Sequence, residues 1–138
     1  MLKNLSDLLG LPLSRRLAGA AATAMLLAIY ILGSYPVIVE QVVVIWDKAV
    51  HFSAYGVIAG LWLVALRSPW QAVALTTLAG ALDEFHQLFV PGRSAGLDDL
   101  SADFLGALTV CLLGMALARR ISAGQPRARF GATIRNRP

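Results

Sequence analysis

Four apolar stretches, at roughly residues 17 to 35, 49 to 66, 70 to 89 and 100 to 118, each approach the length of about 20 residues that a helix needs to cross a bilayer. They fill most of a 138-residue chain in which 57% of side chains are hydrophobic and only 14% are charged. A soluble domain carries roughly a quarter charged residues. The pattern predicts an all-α fold: an integral membrane four-helix bundle over residues 17 to 118, with a short N-terminal amphipathic helix over 1 to 13 and a basic, unstructured tail over 119 to 138.

The charges fix an expected orientation. Six of the 12 basic residues follow Ala118 (Arg119, Arg120, Arg127, Arg129, Arg135 and Arg137), in a stretch without any acid. Lys3, Arg15 and Arg16 flank the first apolar stretch, and Arg67 stands between the second and third. The other two connections carry Glu40, Asp47, Asp98 and Asp99 against Lys48 and Arg93. Basic residues favour the cytoplasmic face, so both termini and the 67 to 69 turn are expected in the cytoplasm, with the acidic loops outside. An even number of spans agrees with this. The basic tail then reads as a topology anchor against anionic lipid, and no nucleic-acid partner is expected.

The segment LKNLSDLLGLPL, residues 2 to 13, spaces Leu2, Leu5, Leu8 and Leu9 as a surface helix would, with Pro12 expected to end it. A secretory leader is the rival reading, but the apolar run that follows is of span length and lacks a clear small-residue cleavage site. Residues 37 to 46, VIVEQVVVIW, are too apolar for a solvated loop and too short to span. They read as an interfacial or re-entrant piece ending on Trp46. Cys111, the one cysteine, lies mid-span and is expected to pack in the core.

The polar residues inside these spans carry the functional information, because an ionised side chain in lipid is costly unless compensated. Asp47, His51 and Tyr55 are four apart and form one stripe within about 80° of the second helix. Gly56 and Gly60 form a GxxxG on nearly the opposite side, which predicts a separate close neighbour there. Asp83, Glu84 and Gln87 share one arc of the third helix, and His86 falls outside it, at the rim. Val90-Pro91-Gly92 should turn the chain and present Arg93. On the fourth helix Asp99, Asp103 and Gly106 line up, while Asp98 or Asp99 could instead cap its N-terminus. Three stripes therefore meet at the outer third of the bundle, with Lys48 and Arg93 as counter-charges. A hydrogen-bonded clasp fixing helix register explains one or two acids better than five. The acid surplus calls for protons, a cation or a cationic ligand.

The same residues carry a resemblance. Asp47-Lys48-x-x-His51-Phe52-x-x-Tyr55, then Asp83-Glu84-x-x-Gln87-x-Phe89-x-Pro91-Gly92-Arg93, then Asp99-x-x-x-Asp103-x-x-Gly106 resembles the VanZ-like family of small bacterial membrane proteins, named for a member associated with teicoplanin (glycopeptide) resistance. The match covers about residues 47 to 114. It departs from the family pattern at Asp103, where Asn is usual. The resemblance implies a cell-envelope context and no particular reaction.

Three functions remain open on these residues. The first is a binding or envelope-modulating protein whose outward pocket takes a polar head group, such as that of a cell-wall lipid intermediate. Arg93 and Lys48 would then meet phosphate, and the carboxylates amines or hydroxyls. The second is an enzyme, metal-assisted or acid/base, acting on a lipid-linked substrate. Asp83, Glu84 and Asp103 are the candidate ligands of a divalent cation, with Asp99 and His51 beside them. Oxygen ligands would favour magnesium, calcium or manganese. No HExxH, GxSxG, P-loop or paired-cysteine motif supports a specific chemistry. The third is a proton- or cation-coupled transporter, for which four helices are few.

Overall fold

The computed structural model describes residues 12 to 35, 44 to 93 and 95 to 124. Among them the chain forms four α-helices and no strand: α1 (Pro12–Gly33), α2 (Val44–Leu66), α3 (Pro69–Gln87) and α4 (Leu97–Gly124). Residues 1 to 11 of the expected amphipathic helix, residues 36 to 43 between α1 and α2, and the tail beyond residue 124 lie outside the described residues.

Proline and glycine place the boundaries. Pro12 opens α1, where its missing N–H costs nothing. Arg67 closes α2 in the left-handed region (φ 59°), donating its N–H to the Leu63 carbonyl at 2.9 Å. Ser68 then precedes Pro69 at the start of α3, and its carbonyl accepts the Ala72 N–H at 3.0 Å. After α3, Val90-Pro91-Gly92-Arg93 forms a turn closed by the Arg93 N–H on the Val90 carbonyl at 3.1 Å. Gly92 adopts φ 82°, a conformation that strains any residue with a Cβ. Three boundaries differ from expectation. Helix α1 begins at Pro12, ahead of the apolar stretch and inside the segment expected to be a separate surface helix. Val44, Ile45 and Trp46 are the first turn of α2 rather than the end of an interfacial piece. At the other end α4 runs past the apolar stretch through Arg119 and Arg120 to Gly124, so the start of the basic tail is helical.

The helices alternate in direction. Arg15 Nε donates to the Ala65 carbonyl at 2.9 Å, which sets the start of α1 beside the end of α2. Arg67 lies in the turn at that same end, and Arg119 and Arg120 lie in the final turns of α4. The acidic residues of α2, α3 and α4 gather at the opposite end. Helix α2 packs against all three others. Its approach to α4 is the closest: a Cβ on Gly106 would collide with the Phe52 carbonyl oxygen, and one on Gly56 would come within 3.3 Å of the Gly106 carbonyl. Ala59, Ala72, Val73, Ala107 and Cys111 fill the core between these helices. Small side chains permit such contact, where helix association in lipid rests on close van der Waals packing. Gly56 and Gly60 thus have the expected helix neighbour, but it is the same helix that receives the polar stripe. The backbones approach so closely at Gly106 that Asp103, one turn earlier, reaches His51 on the flank of α2.

Three helices, α1, α2 from Trp46, and α4, are long and apolar enough to cross a membrane. Helix α3 has the length, 19 residues or about 28 Å, but a more polar composition. Its polar residues point inward: Thr76, Asp83, Glu84 and Gln87 are buried, whereas Leu75, Leu78, Leu82 and Phe85 are exposed. That is the reverse of a water-soluble amphipathic helix. It suits an apolar surrounding medium and a polar interior.

Candidate functional site: a buried acidic cluster

Six of the chain's eight acids stand at one end of the bundle: Asp47, Asp83, Glu84, Asp98, Asp99 and Asp103. Asp83 and Glu84 sit within a turn of the end of α3 on its buried face, with Gln87 one turn on. Gln87 Nε2 donates to Asp83 Oδ2 at 2.9 Å, a pairing that their spacing of four residues on a helix dictates. Glu84 Oε2 accepts the backbone N–H of Gly96, just ahead of α4, at 2.8 Å. Lys48, one turn into α2, bridges Asp98 Oδ2 at 2.5 Å and Asp99 Oδ1. His51 Nδ1 faces Asp103 Oδ1 at 2.9 Å, with the Asp103 side chain wholly buried and that of His51 12% exposed. Asp98 and Asp99, expected as alternatives for a helix cap, are therefore a pair sharing one lysine.

Tyr55 continues the stripe inward. Its ring lies parallel to that of His51, 6.0 Å away, and its hydroxyl faces Asp83, Asp103 and Glu84 without a hydrogen bond of good geometry to any of them. Asp47 lies at the edge of the group, half-buried, near His51 and Asp99. Arg93 comes to the cluster from the far side: its guanidinium and Asp83 Oδ1 both lie within 4 Å of where a Cβ on Gly33 would stand. The end of α1 thus closes the cluster beside α3. All ten sequence-predicted site residues lie at this end: Asp47, Lys48, His51, Tyr55, Asp83, Glu84, Gln87, Arg93, Asp99 and Asp103. His86 lies outside, as its angle on the helix requires. It is a packing residue, stacked on Tyr30 of α1 with ring centroids 4.0 Å apart.

What distinguishes the cluster from a closed clasp is its unpaired atoms. Buried Tyr55 Oη, Asp83 Oδ1, Glu84 Oε1, Asp103 Oδ2 and Arg93 Nε have no hydrogen-bond partner among the described residues. Such groups are ordinarily satisfied, because burying one unpaired is unfavourable. Among the described residues, two sets of side chains bring ligand atoms within 4.8 Å of one another: His51, Glu84 and Asp103, and Asp47, His51 and Asp99. Asp83, grouped with Glu84 and Asp103 on sequence grounds, belongs to neither set.

Two glycines belong to the site and carried no chemical signal in the sequence. A Cβ on Gly80 would stand 2.5 Å from Asp103 Oδ2. Gly96 supplies the N–H that holds Glu84. The only hint was position, since Gly80 precedes Asp83 and Glu84 by three and four residues on the same helix face.

Antiparallel helices with apolar outer surfaces and a buried acidic cluster at one end define a polytopic helical membrane protein. The chain belongs to the VanZ/LLP1 family, whose sequence pattern matches residues 12–119. The resemblance carried by the Asp47, Asp83 and Asp99 motifs therefore holds across α1 to α4. Comparison with curated proteins and with solved structures returns no match.

Proposed function

We propose that this protein is a binding protein of the bacterial inner membrane. With both termini cytoplasmic, its outward-facing cluster takes the polar head group of an envelope lipid, such as a lipid-linked cell-wall intermediate. By doing so it modulates sensitivity to glycopeptide antibiotics. The observation that carries this reading is the set of unpaired buried oxygens on Tyr55, Asp83, Glu84 and Asp103, contributed by three helices, with Arg93 beside them. Oxygens of this kind suit the amines, hydroxyls or cations of a bound group, and a guanidinium suits its phosphate. Lys48 is committed to Asp98 and Asp99, so the phosphate contact falls to Arg93. Charge supports the orientation, because Arg15, Arg67, Arg119 and Arg120 lie at the end opposite the cluster.

Teicoplanin susceptibility of a deletion strain complemented with wild type, Glu84→Gln or Arg93→Gln tests the reading. Wild type should restore the parental phenotype and both variants should fail at equal protein levels. Full complementation by both would reduce the cluster to a structural clasp. Mass spectrometry of lipids retained by the purified protein should show a phosphate-bearing lipid that Arg93→Gln loses.

The approach of His51 to Asp103 favours one second reading, an acid/base or metal-assisted enzyme acting on a lipid-linked substrate. Release of a water-soluble head-group product by the purified protein, lost in His51→Gln, would replace binding by turnover.

A further inference from the structure

His51 from α2, Glu84 from α3 and Asp103 from α4 converge on one point. Each offers a ligand atom within 4.8 Å of the other two. Ligands at about 2.0–2.2 Å from a single divalent ion stand roughly 3 Å apart when adjacent and just over 4 Å apart when opposite, so small side-chain adjustments suffice to close such a site. Because three helices contribute, no single helix end or local turn accounts for the convergence.

A second observation points independently to a bound ion. Asp103, with no exposure, leaves Oδ2 without a partner, and Glu84, 7% exposed, leaves Oε1 without one. In each case the other oxygen is fixed: Asp103 Oδ1 by His51 Nδ1 and Glu84 Oε2 by the Gly96 N–H. The Gly96 N–H thus orients Glu84 from outside any coordination sphere, and His51 and Asp103, both ligand side chains, hold each other in place. The missing side chain at Gly80 lets the Asp103 carboxylate itself pack against α3, where a Cβ would stand 2.5 Å from Oδ2. Among the described residues no lysine or arginine pairs with these oxygens, since Lys48 is held by Asp98 and Asp99 and the Arg93 Nε has no acceptor.

We propose that His51, Glu84 and Asp103 hold one divalent first-row cation, through one ring nitrogen of His51 and the unpaired oxygens of the two carboxylates. Two carboxylates balance the charge of such an ion within an apolar surround. An imidazole in the donor set selects Mn²⁺ or Zn²⁺ over Mg²⁺ and Ca²⁺. Three protein ligands leave positions open for water or a phosphate oxygen. That the ion meets a head-group phosphate rests on the function proposed above; the cation site itself does not.

The test uses the full chain in phosphatidylcholine nanodiscs with the metal alone, so that no anionic lipid competes. Mn²⁺ titration followed by electron paramagnetic resonance, and Zn²⁺ titration by calorimetry, should show one saturable ion per chain, with Mg²⁺ and Ca²⁺ binding more weakly. Glu84→Gln and Asp103→Asn, which preserve shape, should each weaken binding on the order of tenfold or more. Asp98→Asn should leave it unchanged. Nitrogen couplings on bound Mn²⁺ should report one imidazole and vanish in His51→Gln. Absence of saturable binding, an all-oxygen coordination sphere, or binding that survives Glu84→Gln and Asp103→Asn but is lost in Asp47→Asn would each overturn the proposal. Cation binding without any effect of Arg93→Gln on lipid retention would sustain the site and remove the head-group reading.

Discussion

Asp103 is packed against Gly80: a Cβ there would stand 2.5 Å from Asp103 Oδ2 and 3.2 Å from its Cβ and Cγ. Asp103 cannot simply turn away, because it is fully buried and tied to His51. Gly80→Ala is therefore expected to destabilise the bundle by about 1–3 kcal/mol, the usual cost of overpacking a tight core. Gly60→Ala, which meets only a methyl of Val110 at 3.3 Å, should cost less. Thermal unfolding of both variants in detergent gives the comparison, and equal stabilities would refute it.

The α2–α4 contact predicts a harsher effect at Gly106. There the obstacle is the Phe52 backbone carbonyl, which has no rotamer to change. Gly106→Ala should separate the helices and, with them, His51 from Asp103. It should lower the yield of folded protein more than Gly80→Ala does, as read by gel filtration of solubilised membranes.

Lys48 should couple unequally to its two acids. Asp98 is 67% exposed and Asp99 10%, so water and salt screen the first contact more than the second. Double-mutant cycles pairing Lys48→Met with Asp98→Asn and Asp99→Asn should give the larger coupling to Asp99. High salt should erase the Asp98 coupling and leave that of Asp99. A larger coupling to Asp98 would contradict the geometry.

Orientation can be read from cysteines, because native Cys111 is buried at 1% exposure and should stay silent. In intact cells a membrane-impermeant maleimide should label Leu97→Cys, beside the acidic cluster, and not Ala123→Cys. Permeabilised cells should label both. The opposite pattern would invert the topology and place the cluster in the cytoplasm.

How far the fold and site were legible in the sequence follows from which quantities are local. The existence of the four helices and the turns at Pro69 and Pro91-Gly92 depend on neighbouring residues and were readable, whereas the ends of α1, α2 and α4 were not. Also readable was the placing of Asp83, Glu84 and Gln87 on one side of α3 with His86 off it, since helical angles accumulate residue by residue. Pairing between helices is not local. Nothing in the chain announces that Asp98 and Asp99 share Lys48, that Gly96 rather than a side chain holds Glu84, or that Asp83 stands apart from Glu84 and Asp103. Those facts depend on the register of α2 against α4, set by glycine contacts at Gly56 and Gly106. Asp103 was singled out by the stripe it shares with Asp99, yet its meaning required seeing His51 opposite it.

Because α3 turns its polar residues toward the other helices, its stability in lipid depends on a segment synthesised after it. During biogenesis Asp83 and Glu84 leave the ribosome before Gly96 and Asp103, so α3 alone would carry its anions into the bilayer unsheltered. Helices α3 and α4 should integrate as a hairpin, in one event. A nascent chain truncated at Arg93 should leave α3 unintegrated in a glycosylation-mapping assay, and extension through Gly124 should bring it into the membrane.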